Sequence, residues 1–223
     1  MEKIIFIGAS NSFKEVYPII KALNKLRPIY SVEGILDDNE DLQNKFLDGI
    51  PIIGTLDKAK QYDGYKFVFG IGSFKTRFHR KEILKRIGLP PERFITLIHP
   101  DASIDKSARI GFGAIIHPGV TICHDAVLED FTITTFNVTI GPHAIIKKYA
   151  MVTTATIVLS DSTIGESAFI GVNSVIGENI EIGSSAAVVM GSVVFRNIPS
   201  GSIVQGNPAK VLISNSLPKN QEK

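Results

Sequence analysis

The pattern of hydrophobic residues changes near residue 98. Before that point, short apolar runs alternate with stretches in which apolar residues recur every three or four positions, the spacing of one helix face. Strands and helices in this order predict an α/β domain with a parallel sheet over residues 1–98. Asn11 or Ser12 is expected to cap the first helix. The predicted elements are strands at 3–9, 30–38, 51–54 and 67–72, a helix after the first strand and a helix at 74–89.

After residue 98 the apolar residues recur every six positions, and all but one of them are aliphatic. They are Ile104, Ile110, Ile116, Ile122, Leu128, Thr134, Ile140, Ile146, Val152, Val158, Ile164, Ile170, Ile176, Ile182, Val188 and Val194. The residue four places later is usually small, as at Ala108, Ala114, Ala126, Thr132, Ala144, Ala150, Thr156, Ser162, Ala168, Ser174, Ala186 and Ser192. Glycine often follows the aliphatic residue directly, as at Gly111, Gly141, Gly165, Gly171, Gly177 and Gly183.

A fixed period of this kind is typical of a solenoid. Each hexad would form one flat face of a triangular coil, with the aliphatic residue on the axis and the small residue near a corner. Glycine would permit the tight turn. Three hexads close a coil, and coils stack about 4.8 Å apart. We therefore predict an all-β parallel β-helix over residues 99–214, with the α/β domain capping one end and the residues after Val194 covering the other.

Composition narrows the class of protein. The formal net charge is +2, with 24 basic and 22 acidic residues, which argues against a nucleic-acid partner. The single cysteine, Cys123, excludes an internal disulfide and fits a reducing cytoplasm. The N-terminus does not look like a signal peptide, and no apolar run reaches the length of a membrane span. Residues 215–223 are polar and are predicted to be disordered.

The ending Ile-Pro-x-Gly-x-x-x-x-Gly-x-Pro-Ala-Lys, together with GILDDN at 34–39 and GIGSFKTR at 70–77, carries a family resemblance. The chain resembles the sugar O-acyltransferases of the sialic acid O-acetyltransferase type, which include N-acetyltransferases of nucleotide-linked amino sugars for bacterial surface glycans. The resemblance implies a Rossmann-like first domain for the sugar nucleotide and a left-handed β-helix. It also implies a homotrimer that holds acetyl-CoA, or another acyl-CoA, between subunits, and no metal.

Acyl transfer to an amine requires the acceptor to lose a proton as it attacks. In the family a histidine serves as base, but its position corresponds to Pro142 here, and the nearest imidazole is His143. Three interpretations stay open. His143 reaches the acceptor from a shifted position, the amine loses its proton to the CoA sulfur, or the chain has lost or changed its activity. His117 is expected in a turn, and His124 on the surface one coil below Pro142.

The resemblance also indicates binding residues. The loop after the first strand keeps Gly8 but lacks the family's later glycines and histidine, so Ser10, Asn11 and Ser12 are either donors to a phosphate or helix caps. Arg77 is expected to pair with a phosphate or with Glu82. The predicted substrate-binding residues are Gly8, Ser10, Asn11, Asp37, Asp38, Gly72 and Arg77. The predicted acyl-CoA contacts are Ala168, Gly171, Val189, Asn207 and Lys210.

Several functions compete. The favoured hypothesis is N-acylation of a nucleotide-linked amino sugar, and the Asp37–Asp38 pair, which in the family contacts the base, leans towards it, although the pair could equally be a solvated turn. The alternatives are O-acetylation of a sugar of the sialic acid type and a trimer that binds a sugar nucleotide without turnover. A γ-class carbonic anhydrase needs three histidines around zinc. His117, His124 and His143 fall at three different positions of the hexad, which argues against that site.

Overall fold

The structure is a computed structural model that describes residues 1–213. The tail at 215–223, predicted to be disordered, lies outside the described residues. The first part of the chain contains five strands, two α-helices and three short 3-10 helices at Glu40–Leu42, Leu56–Gln61 and Pro91–Arg93. We number the strands and α-helices β1 (Glu2–Ile7), α1 (Asn11–Leu26), β2 (Tyr30–Leu36), β3 (Phe46–Leu47), β4 (Ile50–Gly54), β5 (Lys66–Phe69) and α2 (Arg80–Ile87).

These strands form one sheet in the order β3-β4-β2-β1-β5, parallel except for the β3–β4 hairpin. The predicted α/β class is therefore confirmed. Two local predictions were wrong. Ser10 caps α1, because its side chain accepts the Ser12 N–H. The second helix begins at Arg80 rather than at residue 74, because reciprocal hydrogen bonds between Ser73 and Thr76 hold a turn there instead.

The rest of the chain is the predicted parallel β-helix, and its three faces are built from very short strands. The first face contains Leu97–Ile98, Ile115–Ile116, Ile133–Thr134, Met151–Val152, Phe169–Ile170, Ala187–Val188, Ile203–Gln205 and the antiparallel Lys210–Ile213. The second face contains Ser103–Ile104, Thr121–Ile122, Thr139–Ile140, Ile157–Val158, Val175–Ile176 and Val193–Val194. The third face contains Arg109–Ile110, Val127–Leu128, Ile145–Ile146, Thr163–Ile164 and Glu181–Ile182.

The glycines that follow the aliphatic residues do not make the turns, contrary to the prediction. The residue with left-handed backbone conformation lies two positions after the glycine position. Residues such as Asp125, Asn137 and His143 occupy it, with φ near +56°. A Cβ added at Gly171 would instead meet the Met190 backbone nitrogen at 2.5 Å. These glycines are therefore required because successive coils approach each other too closely for a side chain.

The α/β domain lies along the first face of the β-helix and does not cap its end as predicted. Outward-facing Leu97, Ile115 and Ile133 of successive coils are buried in one apolar cluster with residues of β1 and α1. Further along the same face, the Phe74 and Phe169 rings meet edge to face, 5.1 Å apart. Large apolar side chains that point outward from this flat face provide the surface for the lateral packing. Within residues 1–213, no helix is both long and apolar enough to cross a membrane.

One buried arginine joins the two parts of the chain. Arg80, at the first position of α2, has no solvent exposure. Its guanidinium donates to the backbone carbonyls of Ile71 (2.9 Å), Tyr149 (2.7 Å) and Phe131 (2.8 Å). Burial lowers the pKa of Arg80 to about 9, so it remains charged at neutral pH. The planar fork of donors thus ties the end of the sheet to two coils of the β-helix.

We expect the substitution Arg80→Met to destabilise the protein by about 3 kcal/mol or more, because three carbonyls at a buried interface lose a charged donor. Denaturant unfolding at neutral pH measures this. The matched control is Lys81→Met. Its ion pair with Glu166 crosses the same interface at 2.6 Å but is partly exposed to solvent, so its loss should lower the free energy of unfolding far less than Arg80→Met does. Equal effects of the two substitutions would contradict the role given to Arg80.

Thr134 is the one polar residue in the aliphatic series, and its buried hydroxyl has no hydrogen-bond partner among the described residues. We expect Thr134→Val, which replaces the hydroxyl with a methyl group of similar size, to stabilise the protein by about 1 kcal/mol. Thermal unfolding should show a higher Tm. A lower Tm would mean that the hydroxyl has a partner, such as a buried water, that stabilises the coil.

Candidate active site

The first cleft opens at the carboxyl end of β1. In the sheet, β2 lies on one side of β1 and β5 on the other, so the chain connections diverge at the carboxyl end of β1. Ligands of open α/β sheets bind at such points. The cleft has a volume of about 440 Å³. Six of the predicted substrate-binding residues line it: Gly8, Ser10, Asn11, Asp37, Asp38 and Gly72. The fold thus brings these six residues, which lie in three separate loops, to one cleft.

The two aspartates already have protein partners. Asp37 accepts the backbone N–H groups of Ala9 (2.6 Å) and Asn39 (2.8 Å), so it holds the loop after β1 against the end of β2. Asp38 accepts the Leu56 N–H at 3.0 Å and forms an ion pair with Arg86. A bound nucleotide would therefore contact carboxylates that already accept hydrogen bonds from the protein. Asp37 therefore shapes the cleft, whatever else it contacts.

The amino end of α1 faces the same cleft. The first turn of this 16-residue helix contains no acidic residue, although the Asp37 carboxylate accepts the Ala9 N–H just before the helix. Ser10 and Asn11 are exposed there, while the Ser12 hydroxyl donates to the Gly72 carbonyl at 3.0 Å. Exposed N–H groups and hydroxyls at a helix amino end are suited to a phosphate.

Arg77 does not line this cleft. Its guanidinium lies over the Phe74 and Phe78 rings, 3.7 Å and 3.9 Å from their centroids, and donates to the Phe74 carbonyl. Burial lowers its pKa. Glu82, one of the two expected partners, pairs with Lys85 instead. Arg86, the next-to-last residue of α2, is the cation that lines the cleft, and sequence reasoning missed it because only the fold sets α2 beside the end of β2.

A second cleft adjoins the first, between the α/β domain and the first face of the β-helix. Its volume is about 280 Å³, and it shares Ser12, Gly72 and Ser73 with the first cleft. A Cβ at Gly72 would meet the Ile133 side chain at 2.5 Å, so only glycine lets the two parts approach at this point. The β-helix contributes His117, Ile133, Thr135, Phe136, Met151, Thr153, Thr154 and Phe169.

His117 is the imidazole of the second cleft. It is buried, 1 % exposed, and its ring packs 4.9 Å from the Phe136 ring. Nδ1 lies 3.1 Å from the Thr134 carbonyl, which can only accept, so Nδ1 carries the proton and Nε2 the lone pair. Nε2 has no partner among the described residues. Burial, with a smaller effect of His99, lowers the pKa of His117 to about 4, so the ring is neutral at pH 7.

The predicted acyl-CoA contacts lie in the last coils, and their backbone groups are largely engaged. Ala168 is buried inside the coil near a corner, so its methyl group cannot touch a ligand outside the coil. The Gly171 N–H donates to Val188, and the Val189 carbonyl accepts two serine hydroxyls. Asn207 and Lys210 are exposed. Of the five positions, these last two have side chains free to meet a ligand.

Comparisons with known proteins agree with this arrangement. Residues 3–87 match the PglD N-terminal domain family. The acetyltransferase domain of PglB from Neisseria gonorrhoeae FA1090 is 26 % identical over 95 % of this chain and 100 % of that chain, with a TM-score of 0.82. A second structure of that domain contains acetyl coenzyme A.

The family model thus covers residues 3–87, and the acetyltransferase domain of PglB matches the fold of nearly the whole chain. A mutant of perosamine N-acetyltransferase from Caulobacter crescentus, in complex with CoA and GDP-perosamine, shares the fold at 23 % identity, with a TM-score of 0.83 over 96 % of this chain and 98 % of that chain. WeeI from Acinetobacter baumannii AYE also shares it, at 24 % identity and a TM-score of 0.80, over 95 % of this chain and 100 % of that chain. No curated protein sequence matches.

His143 is the residue that sequence analysis singled out as a candidate base. It lies exposed at the corner between the second and third faces, whereas the second cleft lies against the first face and the first cleft is lined by the α/β domain alone. His124 and Asp125 are its neighbours, with the two histidine rings 5.2 Å apart. Ligand atoms of these three side chains lie within 4.8 Å of one another, close enough to share a cation. His117 is not in this group, so the three-histidine arrangement of a γ-class carbonic anhydrase is not formed within one subunit.

The burial of His117 predicts that the stability of the fold depends on pH. Its pKa is about 4 in the folded protein and about 6.5 in an unfolded chain, so between these values only the unfolded state binds the proton. The free energy of unfolding is therefore highest above pH 6.5, where the imidazole is neutral in both states, and it decreases as the pH falls towards 4. Between pH 7 and pH 4.5 the wild type should therefore lose about 2 kcal/mol more than His117→Gln in denaturant unfolding. Parallel pH profiles would contradict a buried neutral imidazole.

Proposed function

We propose that this protein transfers an acetyl or other short acyl group from acyl-CoA to the amino group of a nucleotide-linked amino sugar, for bacterial surface glycan synthesis. The observation that carries the proposal is the pair of adjoining clefts, one at the sheet edge and one against the β-helix. A nucleotide sugar is a two-part molecule, and two joined clefts suit its two parts. The perosamine N-acetyltransferase that shares this fold was solved with GDP-perosamine and CoA.

The nucleotide belongs in the first cleft. The amino end of α1 offers a positive dipole to the diphosphate, and Arg86 offers a charge at the opposite wall. Asp38, already paired with Arg86, could accept a hydrogen bond from the ribose or the base edge. Gly8, with φ +99°, keeps the loop close to Ile71, where a Cβ would meet that side chain at 2.7 Å. The sugar would then extend past Gly72 towards the second cleft.

The acyl donor belongs to the β-helix, and a homotrimer would complete its site. Large apolar side chains remain exposed on the second face and its two adjoining corners, among them Met190 at 70 % and Phe195 at 62 %. A subunit packed there would remove them from water. Acyl-CoA bound in a groove beside the last coils would contact Asn207 and Lys210. The Lys210 ammonium group suits the CoA phosphates. A cytoplasmic homotrimer is part of this proposal.

His143 is proposed as the base that takes the proton of the attacking amine. Within one subunit it is remote from the clefts, so it would have to serve the cleft of a neighbouring subunit in the trimer. The alternative is transfer of the amine proton to the departing CoA sulfur, which needs no protein base. The two routes differ in their dependence on His143.

The test supplies the full chain with acetyl-CoA and a panel of UDP- and GDP-linked amino sugars. Mass spectrometry of the product should show one added acetyl group, and a sugar with hydroxyl in place of the amine should not react. His143→Ala should lower kcat roughly 100-fold if His143 is the base, while His79→Ala, at an exposed histidine, should not. A near-normal rate for His143→Ala would favour proton transfer to sulfur. No product with any acceptor, and no rise in Tm with CoA, would contradict the proposed function.

A further inference from the structure

The second cleft contains one unexplained polar atom. Of the five histidines in the chain, all of them in the described region, only His117 lines either cleft. Its Nε2 is buried and unpartnered among the described residues, while Nδ1 is committed to the Thr134 carbonyl. Buried polar atoms in folded proteins nearly always have a partner. A lone pair at the wall of a cleft therefore points to a ligand that donates a hydrogen.

The surroundings of His117 define that ligand further. The Thr135 and Thr154 hydroxyls lie 3.0 Å apart beside the same cleft and can donate to or accept from a bound group. The Phe136 ring, 38 % exposed, covers one side of the imidazole, and Met151 and Phe169 add apolar surface. Hydroxyls, a lone pair and aromatic or apolar walls together suit a sugar, which presents O–H and N–H groups around an apolar ring.

We propose that the second cleft holds the acceptor sugar and that His117 Nε2 accepts a hydrogen bond from its amino group, a contact that rests on the function proposed above. A neutral imidazole receives the amine without charge repulsion. By accepting one N–H, it leaves the nitrogen lone pair directed away from the ring, towards an incoming thioester. His117 then contacts the acceptor from the same subunit, whereas His143 would act from another subunit.

The direct test is nitrogen NMR of the full-length protein labelled with ¹⁵N-histidine. His117→Gln identifies the His117 signals by their loss. In the wild type, Nε2 should report an unprotonated nitrogen and should shift when a UDP- or GDP-linked amino sugar is added. The nucleoside diphosphate alone fills only the first cleft and should leave this signal in place. No shift with any amino sugar of the panel would overturn the proposal, and because this measurement needs no turnover, it holds even if the acyltransferase assay fails.

Kinetics provide the second test where turnover is observed. His117→Leu should raise KM for the nucleotide sugar roughly tenfold or more, while KM for acetyl-CoA stays within about twofold. His117→Gln, which can still accept a hydrogen bond, should recover part of the loss. His79→Gln is the matched control and should behave as the wild type. An equal loss for both substrates, or an unchanged KM for the sugar, would show that His117 has only a structural role.

Discussion

The architecture depends on one buried cation. Arg80 reaches three backbone carbonyls, one at the end of the sheet and two at corners of successive coils, without a carboxylate partner. A guanidinium taken out of water must find such acceptors, and carbonyls held in rigid turns provide them at fixed distances. Both clefts lie at the junction that Arg80 fixes, so the geometry offered to a substrate depends on this contact.

The β-helix supplies that rigidity through a different constraint, the short distance between coils. Glycines at the start of six of the turns leave little or no room for a Cβ, and small residues near the corners keep the interior closed. Several of these small residues are polar and bond to the next coil, as Thr156 does to the Gly171 carbonyl at 3.0 Å and Ser162 to the Gly177 carbonyl at 2.6 Å. Interior hydroxyls thus stabilise the stack of coils where they donate to a carbonyl. The Thr134 hydroxyl has no such acceptor among the described residues.

The site combines features of both parts. The sheet edge contributes a helix dipole and an ion pair suited to a nucleotide, and the β-helix contributes hydroxyls and a neutral imidazole suited to a sugar. Burial prevents His117 from taking a second proton at neutral pH and leaves Nε2 as an acceptor. Proton transfer and acceptor binding would then be separate tasks, because the exposed His143 lies at a different corner of the triangular coil.

The sequence by itself determined the two fold classes, the axis of the β-helix and six residues of the first cleft. The fold classes and the axis of the β-helix follow from local periodicity. The six cleft residues follow from the family resemblance, together with the rule that parallel strands end at a common edge. Only the tertiary structure decided that the α/β domain lies along the first face, that Arg86 rather than Arg77 faces the cleft, and that His117 is buried there. Each depends on contacts between residues far apart in the chain, such as Arg80 with Tyr149, and no local pattern encodes the relative position of two packed domains.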